Sequence, residues 1–299
     1  MTRIAILGCG YVGCELARQL GDAGHHVVGV RRSESGLAAV EAAGADAVRA
    51  DVTDGDSLAS VPDIEWVVFA ASAGGRDADA ARETYVEGLR TAIDHFADRD
   101  SAPDRFVYTS STGVYGDHDG EWVDEETAID PGDERTEILA EAERLARERP
   151  PAGVDGTVAR FAGLYGPDRY RLQRYLDGPV TAGVLNMVHR DDAAGAVRFL
   201  LERDRGRGAI VNLVDDEPVE KWGFADWLAE QAGVEFPPKQ TVEQRLADVD
   251  STSTRRRIRA TKRVSNERLR EYGYEFAFPT YRAGYRAAID RFRTDETDP

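Results

Sequence analysis

Two short stretches carry the residue types that could do chemistry. Residues 109–116 read TSSTGVYG, with hydroxyls at Thr109, Ser110, Ser111 and Thr112 and then the phenol of Tyr115, at the end of the apolar run RFVYTSS. Hydroxyls gathered at the end of a buried strand can polarise a carbonyl oxygen and hand it a proton, which is half of a general acid–base apparatus. Residues 8–13 read GCGYVG, after the run IAIL and before the helix-like CELARQLGDAG. In that setting Gly8 permits a tight turn, Gly10 lets backbone approach a pyrophosphate and Gly13 lets helix and strand pack closely. The helix start then offers unpaired N–H groups to the anion. GxGxxG on its own is a weak signal; after the first strand of a βαβ unit it points to a dinucleotide, and the competing reading is a tight turn and nothing more.

The second apolar run ends in Arg31-Arg32, where a carboxylate would bond the ribose 2′-hydroxyl of NAD. Arginine there suits the 2′-phosphate of NADP, so NADP is the expected cofactor, with NAD possible if the two are a solvated pair. Asp51 and Val52, just after the third run, fit the edge and face of an adenine; alternatively Asp51 caps a helix beginning near Asp54. The histidines are scattered and the two cysteines, Cys9 and Cys14, show no metal spacing, so no metal site is expected and both read as reduced, packed thiols.

Positioning these residues requires a layered framework. Apolar runs at 3–7, 26–30, 46–50, 65–70, 105–110 and 156–161 alternate with amphipathic segments, and 208–214 reads as a strand returning to the sheet. This rhythm predicts an α/β fold with a parallel sheet covered by helices on both faces, whose ligands sit beyond the carboxyl ends of the strands. From about residue 215 the chain turns aromatic and charged, with helices expected at 223–233, 264–272 and 281–292. The expected division is a nucleotide-binding domain over 1–164, with 188–214 returning to its sheet, and a smaller, mainly substrate-binding domain over 165–299. The tail TDETDP reads as a solvated end.

Composition narrows the function. The chain has 55 acidic against 38 basic residues, a net charge of −17, and only three lysines. Such an acidic shell suits a salt-adapted (halophilic) cytoplasm and argues against a nucleic-acid partner, which needs a basic face. No run approaches the roughly 18–20 apolar residues of a membrane span, and Met1 leads straight into IAILG, so a soluble cytoplasmic protein is expected, monomeric or homodimeric. The one basic cluster, TRRRIRATKR at 254–263, reads either as a holder of an anionic small-molecule substrate or as a solvated stretch or subunit contact.

The ordered set of GCGYVG, DVTD (51–54), FAASAG (69–74), TSSTGVYG, RFAGLYGP (160–167) and HRDDAA (189–194) resembles the extended and atypical short-chain dehydrogenase/reductases, often labelled NAD-dependent epimerase/dehydratase. The resemblance runs from about residue 3 to 269. It implies a Rossmann doubly wound parallel sheet with a smaller C-terminal substrate domain. It also implies pyrophosphate binding by Gly8, Gly10, Tyr11, Val12 and Gly13, adenine binding by Asp51 and Val52, and a cofactor ribose beside Ala70, Ala71 and Ser72. Ser111 matches the catalytic serine or threonine, and Tyr165 and Pro167 match a loop near the nicotinamide.

One departure bears on activity. The family's YxxxK should open the helix after the serine, and here the sequence is DERTEILAEAE, with Arg135 at the tyrosine position, Leu139 at the lysine position and Glu143 matching a later glutamate. Arginine cannot donate the proton, since its pKa lies above about 12, and leucine can neither donate nor hold a ribose. A tyrosine elsewhere must substitute if there is turnover: Tyr115 first, because it shares a loop with Ser111, then Tyr85, then Tyr165. The expected function is an NAD(P)-dependent oxidoreductase, epimerase or dehydratase of a small polar carbonyl or nucleotide-sugar-like compound; the alternative is a non-catalytic NADP(H) sensor of the same fold.

Overall fold

Ile4, Ala5, Ile6 and Leu7 are fully buried, as a strand covered on both faces must be. They form β1 (Arg3–Leu7), an inner strand of a seven-stranded sheet with β2 (His26–Arg31), β3 (Asp46–Arg49), β4 (Trp66–Phe69), β5 (Arg105–Ser111), β6 (Thr157–Phe161) and β7 (Ile210–Leu213). The computed structural model describes residues 1–74, 77–148 and 154–297. The strand order is β7-β6-β5-β4-β1-β2-β3. β1 pairs in parallel with β2, Leu7 opposite Val30, and with β4, Leu7 opposite Phe69. The chain therefore reverses its direction of travel across the sheet at β1, which opens a crevice at the carboxyl ends of β1 and β4. All seven strands fall on runs expected from the sequence, and the doubly wound α/β class is the one observed.

Strand alternation divides the core into two layers. Ala5 and Leu7 share a cluster with Val28, Val30, Val67, Phe69, Phe106 and Tyr108, which packs against Val86, Leu89, Ile93 and Phe96 and against Ile138 and Ala142. On the other face, α1 (Tyr11–Asp22) buries Gly13, Leu16, Ala17 and Leu20, the spacing of one helical stripe. α2 (Glu34–Ala42) follows β2. α3 covers residues 78–97 as Ala78–Arg82, a π-helical turn Glu83–Glu87 and Gly88–Ala97. α4 (Glu134–Glu148) stands at the place expected for the helix that carries YxxxK.

The chain divides into two compact units: residues 1–114, 134–161 and 193–211, and residues 115–133, 162–192 and 212–299. The segment 115–133, assigned from sequence to the first domain, packs with the second unit, because Trp122–Val123 pairs in parallel with Arg263–Val264. That pairing also explains why the helix expected at 264–272 shortens to Glu267–Glu271. The helix expected at 281–292 is two, Tyr281–Gly284 and Arg286–Thr297. The second unit centres on Tyr165, Phe224, Leu228, Tyr281 and Tyr285. Residues 298 and 299 of the TDETDP tail lie outside the described residues.

Candidate active site

The glycine turn leaves no room for side chains. Gly8 has φ +84°, and a Cβ there would stand 2.2 Å from Ala71 Cα and 2.4 Å from Ala71 N; only glycine lets the end of β1 meet the backbone leaving β4. The amides of Gly8 and Cys9 both donate to Val30 O, at 3.2 and 3.1 Å. Gly10 is the N-cap of α1 and provides no side-chain cap, so the first turn, beginning with Tyr11 and Val12, has amide donors for an anion. A Cβ at Gly13 would meet Ile6 Cγ2 at 3.2 Å, which is the close helix–strand approach expected of that glycine. Ala70 donates to Leu7 O at 2.8 Å, Ala70 and Ala71 are half-buried and Ser72 is exposed. A backbone cradle of this kind fits a dinucleotide pyrophosphate.

At the end of β2 the two arginines separate. Arg31 folds over the turn, its Nη1 donating to Cys9 O at 3.3 Å and lying 2.9 Å from where a Gly10 Cβ would be. Arg32 is exposed and pairs with Asp51 at 3.3 Å. Asp51 Oδ1 accepts from the amide and hydroxyl of Thr53, at 3.0 and 2.9 Å. Burial raises the Asp51 pKa, and the Thr53 bonds together with Arg32 outweigh it, holding the carboxyl below the usual aspartate range. Asp51 is not a helix cap, since Asp54 takes that place by accepting from Asp56 N and Ser57 N. Val52 is buried in the core, its Cγ2 3.0 Å from a Cβ placed at Gly88.

β5 delivers its hydroxyls in different directions. Thr109 donates to Phe69 O at 3.3 Å. Ser110 donates at 2.6 Å to Glu143, whose carboxylate also takes Arg160 Nε at 2.9 Å and Nη2 at 2.6 Å. Glu143 is thus spent on an ion pair that ties α4 to β6. Ser111 is half-buried and accepts from Gly113 N at 3.1 Å; a Cβ at Gly113 would stand 3.3 Å from Ser111 Oγ and 3.9 Å from Thr136 Cγ2. The serine loop therefore abuts the first turn of α4.

The order of candidate tyrosines changes. Tyr115 is fully buried and its hydroxyl donates at 3.0 Å to Asn212, itself fully buried; it is a packed aromatic whose proton is already committed. Tyr165 lies in the second unit's aromatic core, stacked on Tyr285 with ring centroids 5.0 Å apart. A Cβ at Gly284 would stand 2.1 Å from its hydroxyl, and burial pushes its phenol far above the usual range. It is therefore a core residue, and Pro167 near it is half-buried. Tyr85 differs. It sits in the π-helical turn of α3, and Arg135 Nη2 donates to its hydroxyl at 2.8 Å. Arg135 is half-buried, and Leu139 one helical turn on is buried. Beside the Tyr85–Arg135 pair Tyr108 is fully buried, and burial, then the Glu143 carboxylate, raises its phenol well above the usual range. Among the described residues neither Tyr108 Oη nor Arg135 Nη1 has a hydrogen-bond partner. No sequence signal marks the Tyr85–Arg135 contact, which joins residues 50 apart.

Among the described residues no group of three or more His, Cys, Asp or Glu could hold a metal ion, and no helix is long and apolar enough to cross a membrane.

A doubly wound sheet with a glycine turn after β1, where the strand order reverses, and a serine loop abutting the helix after β5 defines a Rossmann-type protein of the extended short-chain dehydrogenase/reductase class. The chain belongs to the NAD dependent epimerase/dehydratase family, whose sequence profile matches residues 4–213. It is 30% identical to Protein YeeZ of Escherichia coli K12 over 286 residues, covering 93% of this chain and 97% of that protein. It is 29% identical to 2'-dehydrokanamycin reductase of Streptomyces kanamyceticus over 233 residues, 71% of this chain and 61% of that one. A functionally unknown conserved protein from Silicibacter pomeroyi superposes with a TM-score of 0.79 at 27% identity, covering 99% of both chains.

Proposed function

We propose that the protein is an NADP(H)-dependent reductase of a ketone on a small, polar, sugar-like molecule, with Tyr85 as proton donor. The observation that carries this reading is the Arg135–Tyr85 hydrogen bond, which sets a phenol beside a fixed cation at the helix where the family keeps its tyrosine and lysine. The reductase among the relatives supports the direction of reaction.

NADPH, when bound, supplies a hydride to the carbonyl carbon. Tyr85 accepts from Arg135, so its own proton points elsewhere and is available to the carbonyl oxygen. The phenolate left behind faces the guanidinium, and a charge-assisted hydrogen bond stabilises it. Ser111 accepts from Gly113 N and keeps its hydroxyl proton for the same substrate oxygen. Arg31 and Arg32 would hold the 2′-phosphate, and the amides of the glycine turn the pyrophosphate.

Calorimetric titration with NADPH and NADH, followed by an NADPH-oxidation screen over sugar ketones in high salt, tests the reading. A charged contact is worth about 1.5–3 kcal/mol, so NADPH should be preferred by about tenfold or more, and an Arg31→Ala, Arg32→Ala double variant should lose the preference. Equal affinities would remove the NADP assignment. Tight NADPH binding with no turnover of any ketone would leave a cofactor-binding module instead.

A further inference from the structure

The two cysteines of the chain, Cys9 in the glycine turn and Cys14 in α1, meet side by side. Cys9 Sγ and Cys14 Sγ are 3.9 Å apart, and the Cys14 thiol donates to Cys9 O at 3.3 Å. Cys9 is fully buried and Cys14 half-buried. The Cys9 sulfur occupies a space that exists only because two neighbours lack side chains: a Cβ at Gly29 would stand 3.1 Å from it and one at Gly13 3.5 Å. Cys9 is also the residue whose carbonyl takes Arg31 and whose amide is tied to Val30. Moving this sulfur therefore moves the backbone that would line the pyrophosphate and the arginine that would face the 2′-phosphate.

We propose that Cys9 and Cys14 form an oxidation site for hydrogen peroxide and related hydroperoxides, whose disulfide form cannot bind the dinucleotide. The second clause rests on the function proposed above; the first does not. Cys14, the more exposed sulfur and in the first turns of α1, reacts first. Its thiolate attacks the peroxide oxygen, giving the sulfenic acid and releasing hydroxide. The Cys9 sulfur then attacks the Cys14 sulfur, forming the S–S bond and expelling the sulfenic oxygen as water. In sum two thiols and one hydrogen peroxide give one disulfide and two waters, the thiols losing the two electrons the peroxide gains. The hydrogen bond that the Cys9 thiol donates to the Cys14 sulfur, then burial, raises the Cys9 thiol far above its usual value, consistent with Cys9 acting second. Closing the sulfurs from 3.9 Å to a bond of about 2.05 Å pulls Cys9 out of its glycine-lined space. A bound dinucleotide, holding the turn in its open form, should slow the reaction.

Reduced protein is treated with one equivalent of hydrogen peroxide, measured by intact mass and thiol alkylation, and titrated with NADPH before and after. The expected result is a loss of about 2 Da with both thiols blocked, together with a fall of tenfold or more in NADPH affinity that dithiothreitol reverses. Cys14→Ser should show neither change and bind NADPH as the reduced parent does. Oxygen addition at Cys14 without a cross-link overturns the site, and a disulfide that leaves NADPH affinity unchanged overturns its consequence. If the reduced protein binds no dinucleotide at all, the failure is that of the proposed function, and the mass measurement still decides the disulfide.

Discussion

Replacing Tyr85 with phenylalanine removes one oxygen and keeps the ring in its π-helical turn, so it asks directly whether that oxygen does chemistry. Losing a general acid typically costs about 10²–10⁴ in rate, or about 2.7–5.4 kcal/mol of transition-state stabilisation. Tyr85→Phe should therefore lower kcat by that factor with NADPH affinity unchanged. Arg135 touches the phenol through Nη2 at 2.8 Å; a hydrogen bond to a charged group is worth about 1.5–3 kcal/mol, and the half-exposure of Arg135 places the effect at the low end. Arg135→Ala is accordingly expected to lower kcat about tenfold, and Arg135→Lys less. Tyr115→Phe is the contrast. It strips a buried bond from Asn212, so it should cost about 1–3 kcal/mol of stability and leave kcat within about twofold. Steady-state kinetics and urea unfolding on the same four variants separate the effects. The reasoning fails if Tyr85→Phe retains full kcat, or if Tyr115→Phe shows the catalytic loss in its place.

Other consequences can be measured without a substrate. Glu143 and Arg160 are nearly fully buried and doubly bonded, so Glu143→Gln leaves a buried guanidinium uncompensated and should cost about 3–5 kcal/mol in urea unfolding with an unchanged slope. Asp215 is almost fully buried, and burial holds its carboxyl well above the usual range. Above about pH 4 the unfolded chain has lost the proton that the folded chain keeps, so this group's stabilisation is full below that pH and falls as pH rises. Asp215→Asn should therefore raise stability near about pH 7 and flatten the decline, as thermal unfolding across that range would show. With a net charge of −17, raising salt from about 0.1 to about 1 M shortens the screening length from about 10 to about 3 Å and should raise the thermal midpoint; a midpoint that falls would remove the case for salt adaptation.

The parts of the molecule that could be read from the chain are those governed by local periodicity. Runs such as IAIL and WVVF carry their own burial, and GCGYVG carries its own turn, because Gly8 is needed wherever a strand end must meet a neighbouring backbone. What escaped is chemistry that depends on distant residues arriving together. Arg160 reads as a charged interruption in an apolar strand until Glu143, 17 residues earlier, is placed against it. The segment 115–133 reads as a continuation of the first domain until Trp122 finds Arg263.

The helix α4 shows the same limit more sharply. From position 135 alone, arginine in place of tyrosine looks like the loss of a function, since a guanidinium cannot give up a proton. Tyr85 belongs to another helix, and the π-helical turn that holds it has no recognisable residue pattern. Only when α3 and α4 lie side by side does the hydroxyl meet the cation, 2.8 Å away. A phenol and a fixed positive charge are then both present, donated by two helices where the family's motif takes them from one. The motif's absence is thus a weaker argument against turnover than it looks in the sequence. Reduction of a carbonyl needs a proton beside a cation, and the proposed reading takes that pair from two helices instead of from residues four apart.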